Sequence, residues 1–352
     1  MGYAIFKILI PAILSFSIGI LITPILTHYL YKHKVWKKEG GKIALNGTEA
    51  VEFNRLKKEG ETKTPRMGGI IIWGSVFLTV ILLFILERIF PNTLFANLDF
   101  FSREQTWIPL CTLAIGALVG FINDFYDVVH NGKGIRLSKR ILIISLLSGL
   151  IGWWFYAKLG VTHIGIPFDG SLYVGILIIP FFIILTNALY ASGVIDGIDG
   201  LSGGVFTAIF LSYAGVAVLQ SQFEIASLCA TIAGGVLAFT WFNVPPARFW
   251  MTETGTMALT LTLSVIVLMT DNLGDGHGIS LLFIIGLPLI ATVGSNVLQI
   301  SYRKITGKKL FRIAPLHHHF EAIGWPSYKV TMRYWIISII CAIVGIIFAS
   351  IA

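Results

Sequence analysis

Charge is scarce in this chain. Only 12% of its 352 residues are Asp, Glu, Lys or Arg, while 55% are hydrophobic. Soluble domains carry about twice that charge, so the balance excludes an ordinary soluble fold and makes this a membrane protein. Cysteine is nearly absent as well. Cys111, Cys229 and Cys341 all lie in apolar stretches, without paired spacing or a nearby histidine. That argues against a disulfide framework or a zinc site and leaves packing as their role. There is no internal repeat, no low-complexity tract and no appended soluble domain, so residues 1–352 are expected to form a single integral membrane domain.

What the chain does have is long apolar runs. A hydrocarbon core about 30 Å thick needs roughly 20 mainly apolar residues per helix. Ten runs qualify: 5–29, 68–89, 107–126, 141–158, 173–191, 203–220, 226–243, 256–270, 279–301 and 332–351. The first is too long for a signal-peptide core and is followed by no small-residue cleavage site, so it reads as a retained span. The expected fold is therefore an all-α polytopic membrane protein of about ten transmembrane helices.

Basic residues orient it. Of the 26 Lys and Arg, 22 fall in segments 31–67, 127–140, 244–256 and 302–333, which with 191–203 form the loops of one side. By the positive-inside rule those loops face the cytoplasm and both termini face outside. The formal charge of +8 then reflects topology and attraction to anionic lipid or substrate, and implies no nucleic acid. On the outer side, "GVTHIGIPFDGSLYVG" (160–175) alternates apolar residues between Gly and Pro and predicts a small hairpin.

With so few carboxylates, their placement carries information. Asp124 and Asp127 end the third span; Asp196 and Asp199 lie in "DGIDGLSGG"; Glu253 and Glu321 follow in later basic-side segments. Ionisable groups at membrane depth are costly unless they pair or serve a wet site, so their convergence in a cytoplasmic cleft is a functional expectation. Asp124 and Asp127 alone would suit a solvated helix end equally well. In "DGIDG" each carboxylate precedes a glycine, which lets the backbone turn tightly and approach a phosphate-bearing ligand held through a metal. Trp250, three residues before Glu253 and near Asn243, offers a flat surface for a nucleobase as well as an interfacial anchor. Three adjacent histidines, His317, His318 and His319, cannot all point one way on a regular element, so a zinc site built from them alone is geometrically poor. A loop presenting imidazoles to an anion, or protonating its oxygens, suits them better.

Five segments together resemble one family. "TPRMGG" (64–69), "GFINDFYD" (120–127), "DGIDGLSGG" (196–204), "FNVPPARFWMTETG" (242–255) and "GKKLFRIAPLHHHFE" (307–321) are similar in order, spacing and topology to phospho-N-acetylmuramoyl-pentapeptide transferases. The histidine segment is the most specific of them. The resemblance implies a bacterial cytoplasmic-membrane enzyme that moves phospho-MurNAc-pentapeptide from UDP-MurNAc-pentapeptide to undecaprenyl phosphate, forming lipid I and UMP. It implies Mg²⁺ as cofactor, which suits carboxylates plus substrate phosphates. It also implies membrane lipid as a partner, with a homodimer left open, and a bend at Pro288 that opens a lipid-facing groove. By motif it assigns Glu253 to the metal and Asn123, Asp124, Asp127, His317, His318 and His319 to catalysis. Lys63, Thr64, Lys133, Asp196, Gly197, Asp199, Asn243 and Trp250 fall to substrate binding.

The chain departs from that pattern at telling places. The pattern begins Asp-Asp and ends in Lys, where this sequence has Asn123, Asp124 and Asp127. Gly193 stands where Asn usually precedes the acidic pair, and Thr252-Glu253 replaces Gly-Asp. The longer Glu arm displaces a bound metal by roughly one methylene, about 1 to 1.5 Å, and a shift near 1 Å costs on the order of 10²-fold when alignment is critical. The preferred mechanism is direct attack by the lipid phosphate, with a covalent route through Asp124 or Glu253 as the other route. Two other functions stay open: a transferase for another UDP-amino sugar, and a catalytically silent homologue that binds lipid or nucleotide.

Overall fold

A backbone in hydrocarbon must satisfy its own N–H and C=O groups, and these apolar runs do so as helices. The computed structural model describes residues 2–41, 51, 54–55, 60–91, 93, 98–102, 104–130, 134–168, 170–272 and 276–351. Its long helices are α1 (Gly2–Lys32), α2 (Ile70–Ile89), α3 (Trp107–Val129), α4 (Leu137–Leu159), α5 (Ile178–Ser192), α6 (Leu201–Leu219), α7 (Phe223–Asn243) and α8 (Thr252–Asn272). They are followed by α9 (Gly278–Ile285), α10 (Leu287–Thr306), the short α11 (Leu316–Ala322) and α12 (Ser327–Ile351). Among the described residues nine helical segments are long and apolar enough to span a bilayer, or ten if α9 and α10 form one broken span. The expected helical count stands.

The bundle is layered. α6, α7 and α8 are largely buried, whereas α1, α4 and α12 present most of their surface outward. Ladders such as Ile336, Ile340, Ile343 and Ile347 on α12 are exposed, as befits a lipid-facing surface. The central α8 is rich in Thr and Ser, yet its hydroxyls are satisfied: Thr256, Thr260 and Thr262 donate to carbonyls one turn back. Back-bonding of this kind lets polar residues sit in an apolar interior.

Small residues set the closest approaches, as expected where van der Waals packing drives helix association. Gly234 of α7 lies against the backbone of Ala12 in α1, and Gly235 against Ser75 and Ile72 of α2. Gly116 and Gly120 of α3 press on the backbone of α8 at Ala258 and Glu253. No Cβ fits at Gly120, so α3 and α8 meet there without separation. Asp124 lies one helical turn beyond Gly120 on the same face, which delivers its carboxylate to the first turn of α8.

Two irregular features complete the frame. β1 (His163–Ile166) and β2 (Gly170–Tyr173) pair antiparallel with His163 opposite Tyr173 and Ile166 opposite Gly170, the hairpin expected from the sequence. The ninth span bends by 73° between α9 and α10. The break falls at Gly286, two residues before the expected Pro288, because Pro is accommodated at the start of the new helix, where its missing N–H is not needed. The three cysteines are free, in keeping with a packing role.

Candidate active site

The site forms where α3, α8, the loop between α5 and α6, and α11 meet at the basic-loop end of the bundle. Its anchor is Asp124, which is fully buried. Asp124 Oδ2 accepts hydrogen bonds from the Thr254 N–H (2.7 Å), the Thr254 hydroxyl (2.6 Å) and the Thr252 hydroxyl (2.6 Å). A carboxylate from α3 thus caps the N-terminus of α8, where unpaired amides and the helix dipole favour negative charge. Asn123, also buried, accepts from the Ile135 N–H at 3.0 Å and places its amide nitrogen 3.4 Å from Asp124 Oδ1. Asp127, one turn further along, pairs with Arg66 at 2.9 Å. Burial removes the solvated-helix-end reading for this acidic group.

Glu253 opens α8 beside Asp124. One carboxylate oxygen is held by Arg140 of α4 in a short ion pair and lies 3.5 Å from the Tyr190 hydroxyl. The Arg140 guanidinium in turn sits 5.9 Å from the Tyr190 ring centre. About a quarter of the Glu253 side chain is still accessible, so a ligand can reach this carboxylate, whereas Asp124 behind it is fully buried.

Thr252 joins the walls of the site. Its N–H donates to Asp196 Oδ2 at 2.8 Å, its hydroxyl donates to Asp124, and the same hydroxyl accepts from the Met67 N–H at 3.1 Å. Its φ is +55°, a conformation that β-branched residues rarely adopt and that glycine adopts freely. The Gly that the resembled pattern carries here is explained by that angle. In this chain three hydrogen bonds hold Thr in the strained conformation.

The glycine-rich loop follows. Asp196 accepts from the Ser202 hydroxyl at 2.7 Å as well as from Thr252. Burial pushes its carboxyl above the ordinary range, against the pull of those two donors. Asp199 accepts from the Ala247 N–H and the Trp250 indole, both at 3.1 Å. Asn243 braces the same loop, accepting from the Gly200 N–H at 2.9 Å and donating to the Phe249 carbonyl at 2.8 Å. Asn243 is buried, so its bonds are internal to the wall. Trp250 is half-buried with its ring edge against Gly60.

The basic segment before α2 clips onto this wall. The Trp250 N–H donates to the Pro65 carbonyl (2.9 Å), and the Gly68 N–H donates back to the Trp250 carbonyl (2.8 Å). Thr64 is half-buried and Lys63 exposed on that segment. Lys133 lies outside the described residues.

The histidines belong to a helix rather than the expected loop. Pro315 is extended at its start, and its carbonyl accepts from the His318 and His319 N–H groups. Successive residues on a helix diverge by about 100°. His317 and His318 are buried and turn toward the glycine-rich loop: a Cβ on Gly197 would lie 2.6 and 2.7 Å from their Nε2 atoms. His319 turns the other way, onto Phe311. His318 Nδ1 is 2.7 Å from Glu321 Oε2, and the Ser327 hydroxyl donates to Glu321 Oε1 at 2.5 Å. With Glu321 ionised, the imidazole proton sits on Nδ1 and Nε2 is presented to the loop. α11 is tied to α10 through Gln299, which accepts from the Leu310 and Phe311 N–H groups, and through Ser295, which accepts from Leu316.

Most of the sequence-predicted residues on described positions therefore gather in one neighbourhood, while His319 turns onto Phe311 and Lys63 is exposed. Asp124, Asp196 and Glu253 meet at the start of α8, Asp199 and Trp250 form the next wall, and Gly197 carries the histidine helix. Sequence reasoning missed Arg66, Arg140 and Tyr190. Arg66 lay inside the "TPRMGG" segment without being singled out, and Arg140 closed the basic loop 127–140 just before an apolar run; Tyr190 had no signal that one sequence exposes.

Among the described residues no three His, Cys, Asp or Glu side chains form a closed cation cage. Mg²⁺ does not need one, since one or two carboxylates plus substrate phosphates suffice. Glu253, accessible and with buried Asp124 behind it, is one carboxylate of that kind.

Fold and site together define a polytopic membrane transferase. The sequence model described as glycosyl transferase family 4 matches residues 106–271, the stretch from the start of α3 to the end of α8. The chain is 32% identical to a phospho-N-acetylmuramoyl-pentapeptide-transferase of Geobacillus sp. (strain WCH70), over 95% of each chain. Proteins of the same name from Clostridium beijerinckii and Rickettsia canadensis are 30% and 31% identical; they cover 97% and 98% of this chain and 96% and 93% of their own length. The chain belongs to the phospho-N-acetylmuramoyl-pentapeptide-transferase family.

Proposed function

We propose that this protein transfers phospho-MurNAc-pentapeptide from its UDP carrier to undecaprenyl phosphate, releasing UMP and forming lipid I at the cytoplasmic face of a bacterial membrane. The carrying observation is the junction at Thr252–Glu253, where carboxylates from α3, α8 and the glycine-rich loop meet two arginines at the basic-loop end. Both substrates are anionic there, and one is a lipid. An apolar recess lined by Phe320, Trp325, Val330, Tyr334 and Ile337, and by Arg333 stacked on the Trp325 ring, opens beside the histidine helix. Its chemistry suits prenyl units next to a phosphate.

In this reading an oxygen of the lipid phosphate attacks the β-phosphorus of the UDP-sugar. The bridging P–O bond breaks, and UMP leaves with the electron pair. A phosphate monoester has its second pKa near 6, so it is largely dianionic at neutral pH and needs no carboxylate to deprotonate it. Asn123 in place of Asp is compatible with such a nucleophile. Glu253 would hold Mg²⁺, with buried Asp124 adding negative charge behind it; the ion would neutralise charge on the diphosphate. His317 and His318 border the phosphate region through Gly197, and Trp250, oriented by Asp199, supplies a face for uracil. Lys63, Thr64 and Lys133 add binding contacts from the basic segments.

UMP release measured with detergent-solubilised protein, undecaprenyl phosphate, UDP-MurNAc-pentapeptide and Mg²⁺ tests the reading. Turnover that Glu253→Ala abolishes is expected. A folded wild-type protein that turns over only another UDP-amino sugar would overturn the substrate assignment. Arg140 on Glu253 favours one second reading, binding without turnover, and the same assay separates it.

A further inference from the structure

One cation of the site has no assigned task. Arg66 lies in the segment clipped to the Trp250 wall, and its own N–H donates to the Val35 carbonyl at 2.8 Å. Its backbone is thereby fixed on both sides, and only the side chain is free to move. That side chain is about one-sixth accessible, and it touches Asp127 through Nη1 at 2.9 Å. The pairing is incomplete. Nε of Arg66 is buried without a hydrogen-bond partner, and Asp127 Oδ2 receives no well-aligned hydrogen bond. A guanidinium has five donors in a planar fork matched to paired oxygens, and here one of them meets a carboxylate by charge alone. The next residue, Met67, donates its N–H to Thr252, which itself bonds Asp124 and Asp196, so Arg66 lies beside the carboxylates at the start of α8.

We propose that Arg66 is a diphosphate-binding residue, resting on Asp127 until the substrate's phosphates take its fork. This rests on the reading under Proposed function, since it needs a nucleoside diphosphate in the cleft. Asp127 is then a placeholder that keeps the guanidinium neutralised between turnovers. A diphosphate offers paired oxygens and more charge, so the exchange favours binding.

The rival role is purely structural, in which Arg66 only compensates a buried Asp127. The double variant Arg66→Ala/Asp127→Asn separates the two, because it leaves no unpaired carboxylate. Equilibrium binding of UDP and of uridine to the full-length protein, without divalent ions, is the readout, with thermal melting as the fold control. The double variant is expected to bind UDP about 10- to 100-fold more weakly, the scale of a lost charge-assisted hydrogen bond, with uridine binding unchanged. UDP affinity equal to wild type would overturn the proposal. Asp127→Asn alone removes the competitor and is expected to tighten UDP binding; weakened binding would overturn it too. A wild-type protein that binds neither ligand would sink the transferase reading itself.

Discussion

Helix α8 carries a carboxylate at each end, and the two are satisfied in opposite ways. Asp271, in its last turn, accepts from the Gly165 and Ile279 N–H groups, both at 3.0 Å, and from the Asn272 side chain at 3.1 Å. No cation is among these partners. A negative charge at a helix C-terminus opposes the dipole, and fixed backbone donors compensate it while stapling the hairpin and α9 to the bundle. Glu253, in the first turn, is favoured by the dipole and meets Arg140 and Tyr190. Its partners are long side chains that can exchange. The same group is a fastener where amides hold it and, in the proposed function, an exchangeable ligand where side chains do.

Substitution at the two ends is the strongest test of that contrast. Glu253→Gln keeps shape and removes charge; UMP release is expected to fall about 10²- to 10³-fold, the scale of losing one preorganised electrostatic partner, with melting nearly unchanged. Asp271→Asn should do the reverse, lowering stability by about 1–3 kcal/mol because a buried amide donor is left unsatisfied, while KM stays as in wild type. Kinetics and thermal melting on both variants check this. Equal effects on both readouts would erase the distinction.

Each end also has an Asn beside its Asp, which sharpens the comparison. Asn123 places its amide 3.4 Å from Asp124, and Asn272 donates to Asp271. Changing either to Asp sets two carboxylates side by side at an expected cost of about 1–2 kcal/mol. Millimolar Mg²⁺ is expected to restore the melting temperature of Asn123→Asp and to leave that of Asn272→Asp depressed. Melting curves with and without Mg²⁺ decide it.

Legibility in the sequence followed the same division. Apolar runs, Gly-Pro punctuation and basic-loop asymmetry carry period and length, so the helices and the hairpin could be read directly. Asp124, Asp196 and Glu253 stood out because charge is rare in this chain. The ion pairs of Arg66 and Arg140 did not, since their partners lie 61 and 113 residues away and nothing periodic links them. Gly286, rather than Pro288, sets the break in the ninth span because Pro fits a helix start. Asp271 was passed over although it closes an apolar run before "NLGDGHG", a turn-rich stretch that called for an anchor.

Thr252 gives a smaller test at the site end. Thr252→Gly relieves the positive φ, a strain of order 1 kcal/mol or more, and deletes the hydroxyl between Met67 and Asp124. The terms oppose each other, so stability is expected to stay within about 1 kcal/mol of wild type. With one of its three donors gone and the two from Thr254 kept, Asp124 should raise the response to Mg²⁺. Denaturant midpoints and Mg²⁺ titration of UMP release measure the two halves.

The smallest effect is at the hairpin end, outside the spans. Asp99 lies between α2 and α3 and accepts from the Phe101 N–H at 3.1 Å. Burial raises its pKa from 3.8 to about 6, with Glu87 pushing the same way and Phe101 and Arg88 opposing. The folded protein therefore holds this proton at pH values where the unfolded chain has lost it. Between about pH 4 and 6 the folded state binds more protons, so the contribution to stability is complete below that window and is lost as pH rises through it. Asp99→Asn is expected to flatten this slope and to raise the melting temperature slightly at pH 7. Glu253→Gln should leave the slope intact. Melting followed from pH 4 to 7 tests both, and an undiminished slope in Asp99→Asn would assign it to another group.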